Sequence, residues 1–165
     1  MKGKRTDLGD ATCGIARALH IIGDWWTLLI VRDAFQGHQR FGEFQRNLGV
    51  AKNILSSRLK KLVEEDIFRI EADPESPVSH RYMLTEKGEQ LWPVLVALWQ
   101  WGENHCFKRG EMKLALVDRL SEQPVSPLQL TARDGRKLGP RDFRVVQKST
   151  PPARGKRPSR RGSSA

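Results

Sequence analysis

A mainly α-helical domain carrying one small β-hairpin (an α+β class) is the fold that this sequence predicts, on three observations. Apolar residues recur at helical spacing in four consecutive blocks between residues 11 and 65. Two short strand-like runs, 68–72 and 80–85, follow, joined by DPESPVS, whose prolines, acids and serines suit an exposed loop. A further helical stretch runs from Thr85 to Phe107. With 165 residues and 38% hydrophobic composition, the chain is long enough for one such domain plus extensions.

The first helix, residues 11–22, sets Ile15, Leu19 and Ile22 on one face. Asp24 is the expected N-cap of a second helix, 25–35, ended by Gly37. Its apolar residues surround most of the cylinder, as in a helix at the centre of a small core. A short helix, 41–48, stops at Gly49, which tolerates the left-handed backbone that the next turn requires. In the fourth helix, 52–65, Leu55, Leu59, Leu62 and Val63 form one buried stripe, leaving Lys52, Asn53, Ser56, Ser57, Lys60 and Lys61 off it and Arg58 at its edge. T-E-K-G at Thr85 opens the long last helix, in which Pro93 marks a kink or the true first turn. Helix, helix, short helix, turn, helix, hairpin, helix is the order of a winged helix-turn-helix.

The expected organisation is a flexible N-terminus (1–10), this domain with its dimerisation helices (11–107), a small extension (108–148) and a disordered basic tail (149–165). Within the extension, 114–120 reads as helix or strand. Residues 128–132 and 143–146 read as strands, with Asp134-Gly135 as a hairpin turn.

The net charge of +10 is not diffuse. The tail holds five basic residues and no acid, and residues 39–62 hold six basic residues against Glu43 alone. A compact basic segment on a candidate helix-turn-helix points to double-stranded DNA. Asn53 suits bidentate contact with adenine and Arg58 with guanine, and Ser56 and Ser57 can bond base or phosphate. Lys52, Lys60 and Lys61 suit phosphates, which give affinity and salt dependence rather than sequence choice, and Arg40 in the same basic segment is a further candidate DNA contact. His80 and Arg81 in the hairpin are placed to reach the adjacent backbone or minor groove. Non-specific architectural binding of nucleic acid is the alternative function, and a protein-interaction module a third.

Four segments carry a family resemblance: ALHIIGDWWTLLIVRDAF, RFGEFQRNLGVAKNILSSRLKKL, YMLTEKG and LVALWQWGENH. Over residues 13–107 they closely resemble HxlR-type winged helix-turn-helix transcription regulators of bacteria. The resemblance implies a homodimeric, sequence-specific operator-binding protein, with repression the expected sign of control. It also implies a dimer interface on residues 11–20 and 86–107, in keeping with the apolar surplus of Trp92, Trp99 and Trp101. Two departures stand out. Asp66 occupies the place of a usual Gly after the recognition helix, and the wing ends Ser79-His80-Arg81-Tyr82 where a pattern like Arg-Val-Glu-Tyr is usual.

Cys13 sits where many such proteins carry a cysteine, which in some relatives senses oxidants or electrophiles. A helix start and Arg17 one turn on would favour a thiolate, and a small packed residue is the plainer reading. Trp25, Trp26, Trp92, Trp99 and Trp101 are candidates for an effector pocket, suited to a flat aromatic ligand, or for a dimer interface. The four histidines and two cysteines have no zinc spacing, and no phosphate loop, nucleophile elbow or metalloprotease motif occurs, so neither metal, cofactor nor catalysis is expected. The longest apolar stretch is too short to span a membrane, and the N-terminus lacks a signal peptide's apolar region. The expected location is the cytoplasm.

Overall fold

In the computed structural model, which describes residues 8–147, six helices and one hairpin follow in the predicted order. They are α1 (Gly14–Ile22), α2 (Trp25–Phe35), α3 (Phe41–Leu48), α4 (Lys52–Glu64), β1 (Phe68–Asp73), β2 (Ser76–Leu84), α5 (Glu86–Glu89) and α6 (Trp92–His105). Residues 1–7 of the expected N-terminal segment and the whole expected tail lie outside the described residues.

The core forms where α4 lays its stripe against α2, α3 and β1. Leu55, Leu59 and Leu62 are buried with Ile30 and Val31 of α2, Phe44 of α3, Val50, Ile67 and Phe68. Each buried leucine contributes about 1.5–3 kcal/mol of transfer free energy. The helix cannot rotate without exposing that stripe. Asp33, fully buried in α2, accepts from Asn47 Nδ2 at 2.7 Å and from Arg32, so the polar group inside the fold is paired. Asp24 caps α2 as expected, accepting from the Thr27 amide at 3.1 Å. Gly49 takes φ 60 at the end of α3. Asp66 adopts the left-handed φ of 56 that a glycine would otherwise supply, while Thr85 Oγ1 donates to its carbonyl at 2.6 Å.

β1 and β2 pair antiparallel from Phe68↔Leu84 to Ala72↔His80, with an irregularity before Asp73↔Ser76. This corrects the expected loop. Only Pro74 and Glu75 separate the strands, and Ser76 to Ser79 belong to β2. A proline is tolerated there because it falls in the irregularity between Ala72↔His80 and Asp73↔Ser76, outside the regular pairing.

The expected long last helix is two helices. α5 closes after one turn, and α6 restarts with Pro93 in its first turn, where the missing amide costs nothing. The first helix starts at Gly14 rather than residue 11, with Cys13 as its N-cap.

Two compact units divide the chain after Leu128. In the first, residues 114–120 form neither helix nor strand. An isolated bridge joins Val117 and Pro124, and Gln100 on α6 holds Ser126 and Leu128 through both ends of its amide. In the second, Asp134-Gly135 makes a turn, with Gly135 at φ 86. Its return strand is not 143–146, because the turn reverses the chain at once: Thr131 bridges Lys137, and Leu138 N donates to Leu130 O at 2.8 Å.

Gly88 of α5 packs closely on the backbone between α4 and β1. A Cβ there would lie 2.2 Å from Ile67 O, a backbone atom that cannot move aside. Gly88→Ala is expected to lower stability by about 1–3 kcal/mol, read as the urea midpoint; an unchanged midpoint would contradict this packing.

Candidate nucleic-acid interface

Burying one face of α4 dictates the other. Asn53, Ser57 and Lys60, spaced i, i+4, i+7, are exposed opposite the leucine stripe, flanked by Lys52 and Ser56. No carboxylate lies on the helix before Glu64, whose 3.7 Å ion pair with Lys60 is solvent-exposed and weak. The face is therefore cationic and rich in short hydrogen-bonding groups, and it stands free of the rest of the fold.

Four expected contact residues, Lys61, Arg58, Arg40 and Arg81, have partners that their spacing did not reveal. Lys61 Nζ donates to His20 O at 2.5 Å, tying α4 to the end of α1. Arg58 is only 24% exposed, with Nε 3.0 Å from Asp24 Oδ1 at the start of α2. Between the start of α2 and α4 lies a groove of about 610 Å³ walled by Trp25, Asn53, Ile54, Ser57 and Arg58.

Arg40, at the N-cap of α3, reaches across to the wing. Its guanidinium forks onto Asp73, Nε to Oδ2 at 2.5 Å and Nη2 to Oδ1 at 3.0 Å, and Nη2 also meets Glu75 Oε2 at 2.6 Å. Glu43 closes the group by accepting from the Gln39 and Arg40 amides. Asp73, 1% exposed, also accepts from Ser79 Oγ and the Glu75 amide. The Arg40 guanidinium, with these donors, holds the Asp73 carboxyl far below the usual carboxylate range, and Asp73 and Glu75 push Arg40 further up. Arg40, an expected DNA contact, is thus engaged in a tie between α3 and the hairpin. Backbone contacts run beside it: Arg40 bridges Arg81, and Tyr82 N donates to Gln39 O at 2.7 Å.

On the wing His80 is exposed, whereas Arg81 turns inward, with Nη1 3.3 Å from Gln39 Oε1. The tryptophans are not brought to one site. Trp25, 74% exposed, stands edge-on to Trp26 at the groove beside α4. Trp92 and Trp99 line an apolar cleft of about 480 Å³ between α2 and α6, and Trp101 packs on His105. Cys13 and Cys106 are exposed free thiols. Arg17 turns its Nε to Ala11 O at 2.6 Å. Among the described residues no cluster could hold a metal ion, and no single helix is long and apolar enough to cross a membrane.

The residues that sequence reading missed are Asp73 and Glu75. They were visible only as loop acids, because a pairing across 33 residues leaves no local signature.

A helix-turn-helix with a free polar recognition face, braced to a two-stranded wing, defines a winged helix-turn-helix domain. The chain belongs to the HxlR-like helix-turn-helix family, whose profile matches residues 21–109. It is 46% identical over 91 residues to the HTH-type transcriptional regulator Rv3095 of Mycobacterium tuberculosis, a match covering 55% of this chain and 58% of that protein. The chain therefore spans less than two thirds of that relative's length. The crystal structure of PA1607, a candidate transcription factor, superposes with TM-score 0.82 at 49% identity, over 87% of this chain and all of that one. The redox regulator HypR in its reduced form aligns with TM-score 0.53 at 27% identity, over 57% of this chain and 94% of that one.

A carboxylate held below its ordinary value stabilises the fold above that value and loses its contribution as pH falls beneath it. The stability gap between the wild type and Asp73→Asn should therefore be widest near neutrality and shrink below about pH 4, where an ordinary Asp protonates. Urea midpoints at several pH values check this; a gap that stays constant or widens in acid would contradict the tie.

Proposed function

We propose that the protein is a homodimeric, sequence-specific transcriptional regulator that represses by occupying an operator. The observation that carries this reading is the free face of α4, where Asn53, Ser57 and Lys60 stand exposed with no carboxylate before Glu64. A helix presenting that face fits the major groove, where Asn53 reads adenine and Lys52 and Lys60 engage phosphates. The wing, held by Arg40, brings His80 toward the flanking backbone.

Apolar side chains left uncovered on α1 and α6 support the dimer. Ile15 and Leu19 on the first, with Trp92, Val94, Leu98 and Trp101 on the second, are exposed in a single chain. A two-fold pair would cover them and set two copies of α4 in successive major grooves. Repression needs no machinery beyond that occupancy.

A second reading concerns control. Cys13 is an exposed thiol at the start of α1, inside this proposed interface, and the similar HypR is described as a redox regulator. Oxidation or alkylation there would alter the dimer and release DNA.

Replacing Asn53 and Arg58 together by Ala is expected to lower operator affinity at least tenfold while the dimer persists, since each specific contact is worth about 1–3 kcal/mol. Gel shifts with excess random DNA, beside light scattering, check this; undiminished specific binding would refute the reading face. Hydrogen peroxide or a quinone should release wild-type protein from DNA and leave Cys13→Ser bound. Equal release of both would rule out Cys13 as the sensor.

A further inference from the structure

One carboxylate, that of Asp24, serves two elements. As the cap of α2 it accepts from the Thr27 amide at 3.1 Å through Oδ1 and from the Thr27 hydroxyl at 2.5 Å through Oδ2. The same Oδ1 lies 3.0 Å from Arg58 Nε, part-way along the recognition helix. Arg58 Nε is buried and makes no hydrogen bond, and this carboxylate is its ion-pair partner. The terminal nitrogens Nη1 and Nη2 likewise make no hydrogen bond within the described residues, but they are not buried.

A guanidinium is planar, so the ion pair and the burial that hold Nε also restrict the direction of its outer fork. That fork borders the groove it shares with Asn53 and Ser57, on the side of α4 next to its free face. Asp24 is fixed in turn by its two bonds to Thr27, which is itself buried. A rigid cap thus sets a long, flexible side chain in one orientation before any ligand arrives, so less ordering remains for binding to impose.

We propose that Asp24 is a positioning residue for sequence readout: it holds Arg58 so that Nη1 and Nη2 meet O6 and N7 of a guanine in the major groove. The proposal rests on the reading of α4 as the recognition helix. Arg58 is then neither a phosphate contact nor a charge retired into the fold. Its specificity depends on a residue of α2 that itself touches no base.

The test is selection from a randomised duplex library with the full chain, comparing wild type, Arg58→Ala and Asp24→Ser. Serine caps a helix about as well as aspartate but is too short to reach Arg58. Thermal unfolding confirms that each variant is folded, and Asp24→Asn, which keeps the cap and removes the charge, replaces Asp24→Ser if that variant is not. The expected result is a guanine preference at one position of each half-site that falls roughly tenfold to a hundredfold in both variants. Affinity of the Asp24 variant for random duplex should stay level or rise, because a negative charge is gone. A structural defect would instead lower specific and random binding together, and that outcome overturns the proposal. A preference lost in Arg58→Ala but kept in the Asp24 variant also overturns it, leaving the recognition helix intact as a reading. A preference unchanged in Arg58→Ala, or no motif in the wild type, overturns that reading with it.

Discussion

The free polar face of α4 depends on the burial of Leu55, Leu59 and Leu62 beneath α2, α3 and β1. Three leucines on one side of a 13-residue helix leave it no second way to lie on the core. Turning it by one residue would carry the stripe some 100° toward water and bring cations under Phe44 and Phe68. The polar face is therefore presented by default, without any bond of its own to orient it. Hydrophobic packing chooses which side chains are free, and the free ones supply the chemistry.

Around this core, polar contacts fix the parts that packing leaves loose. A two-stranded hairpin is marginal alone, and here Arg40 ties it to α3 through Asp73 and Glu75. Lys61 and Lys87 donate to the carbonyls of His20 and Glu65, fastening α4 to its neighbours at both sides. Asp24 joins the start of α2 to Arg58. Basic residues counted by composition thus divide into those that hold the fold and those left over for a polyanion. Lys52 and Lys60 belong to the second group.

Much of the fold was legible because its signals are local. Asp24 as a cap, Gly49 as a left-handed stop and the leucine spacing of α4 each act within a few residues, and each lies where the sequence places it. Errors arose where one composition serves two structures. DPESPVS reads as a loop, yet cross-strand pairing draws Ser76 to Ser79 into β2. Strand-like apolar residues at 143–146 lost to Arg136–Leu138, which the tight turn at Asp134-Gly135 brings back first. The interface was legible as a helix face but not as a network. Nothing near Arg40 or Arg58 in the chain announces Asp73 or Asp24, because both pairings form only once the core has brought distant elements together.

The central claim is that α4 reads the major groove. Dimethyl sulfate interference on a selected operator tests it directly, because the reagent methylates guanine N7 in the major groove and adenine N3 in the minor groove. Binding is expected to be blocked by N7 methylation at guanines in two half-sites about one helical turn apart. Interference confined to adenine N3, or none at any guanine, would contradict it.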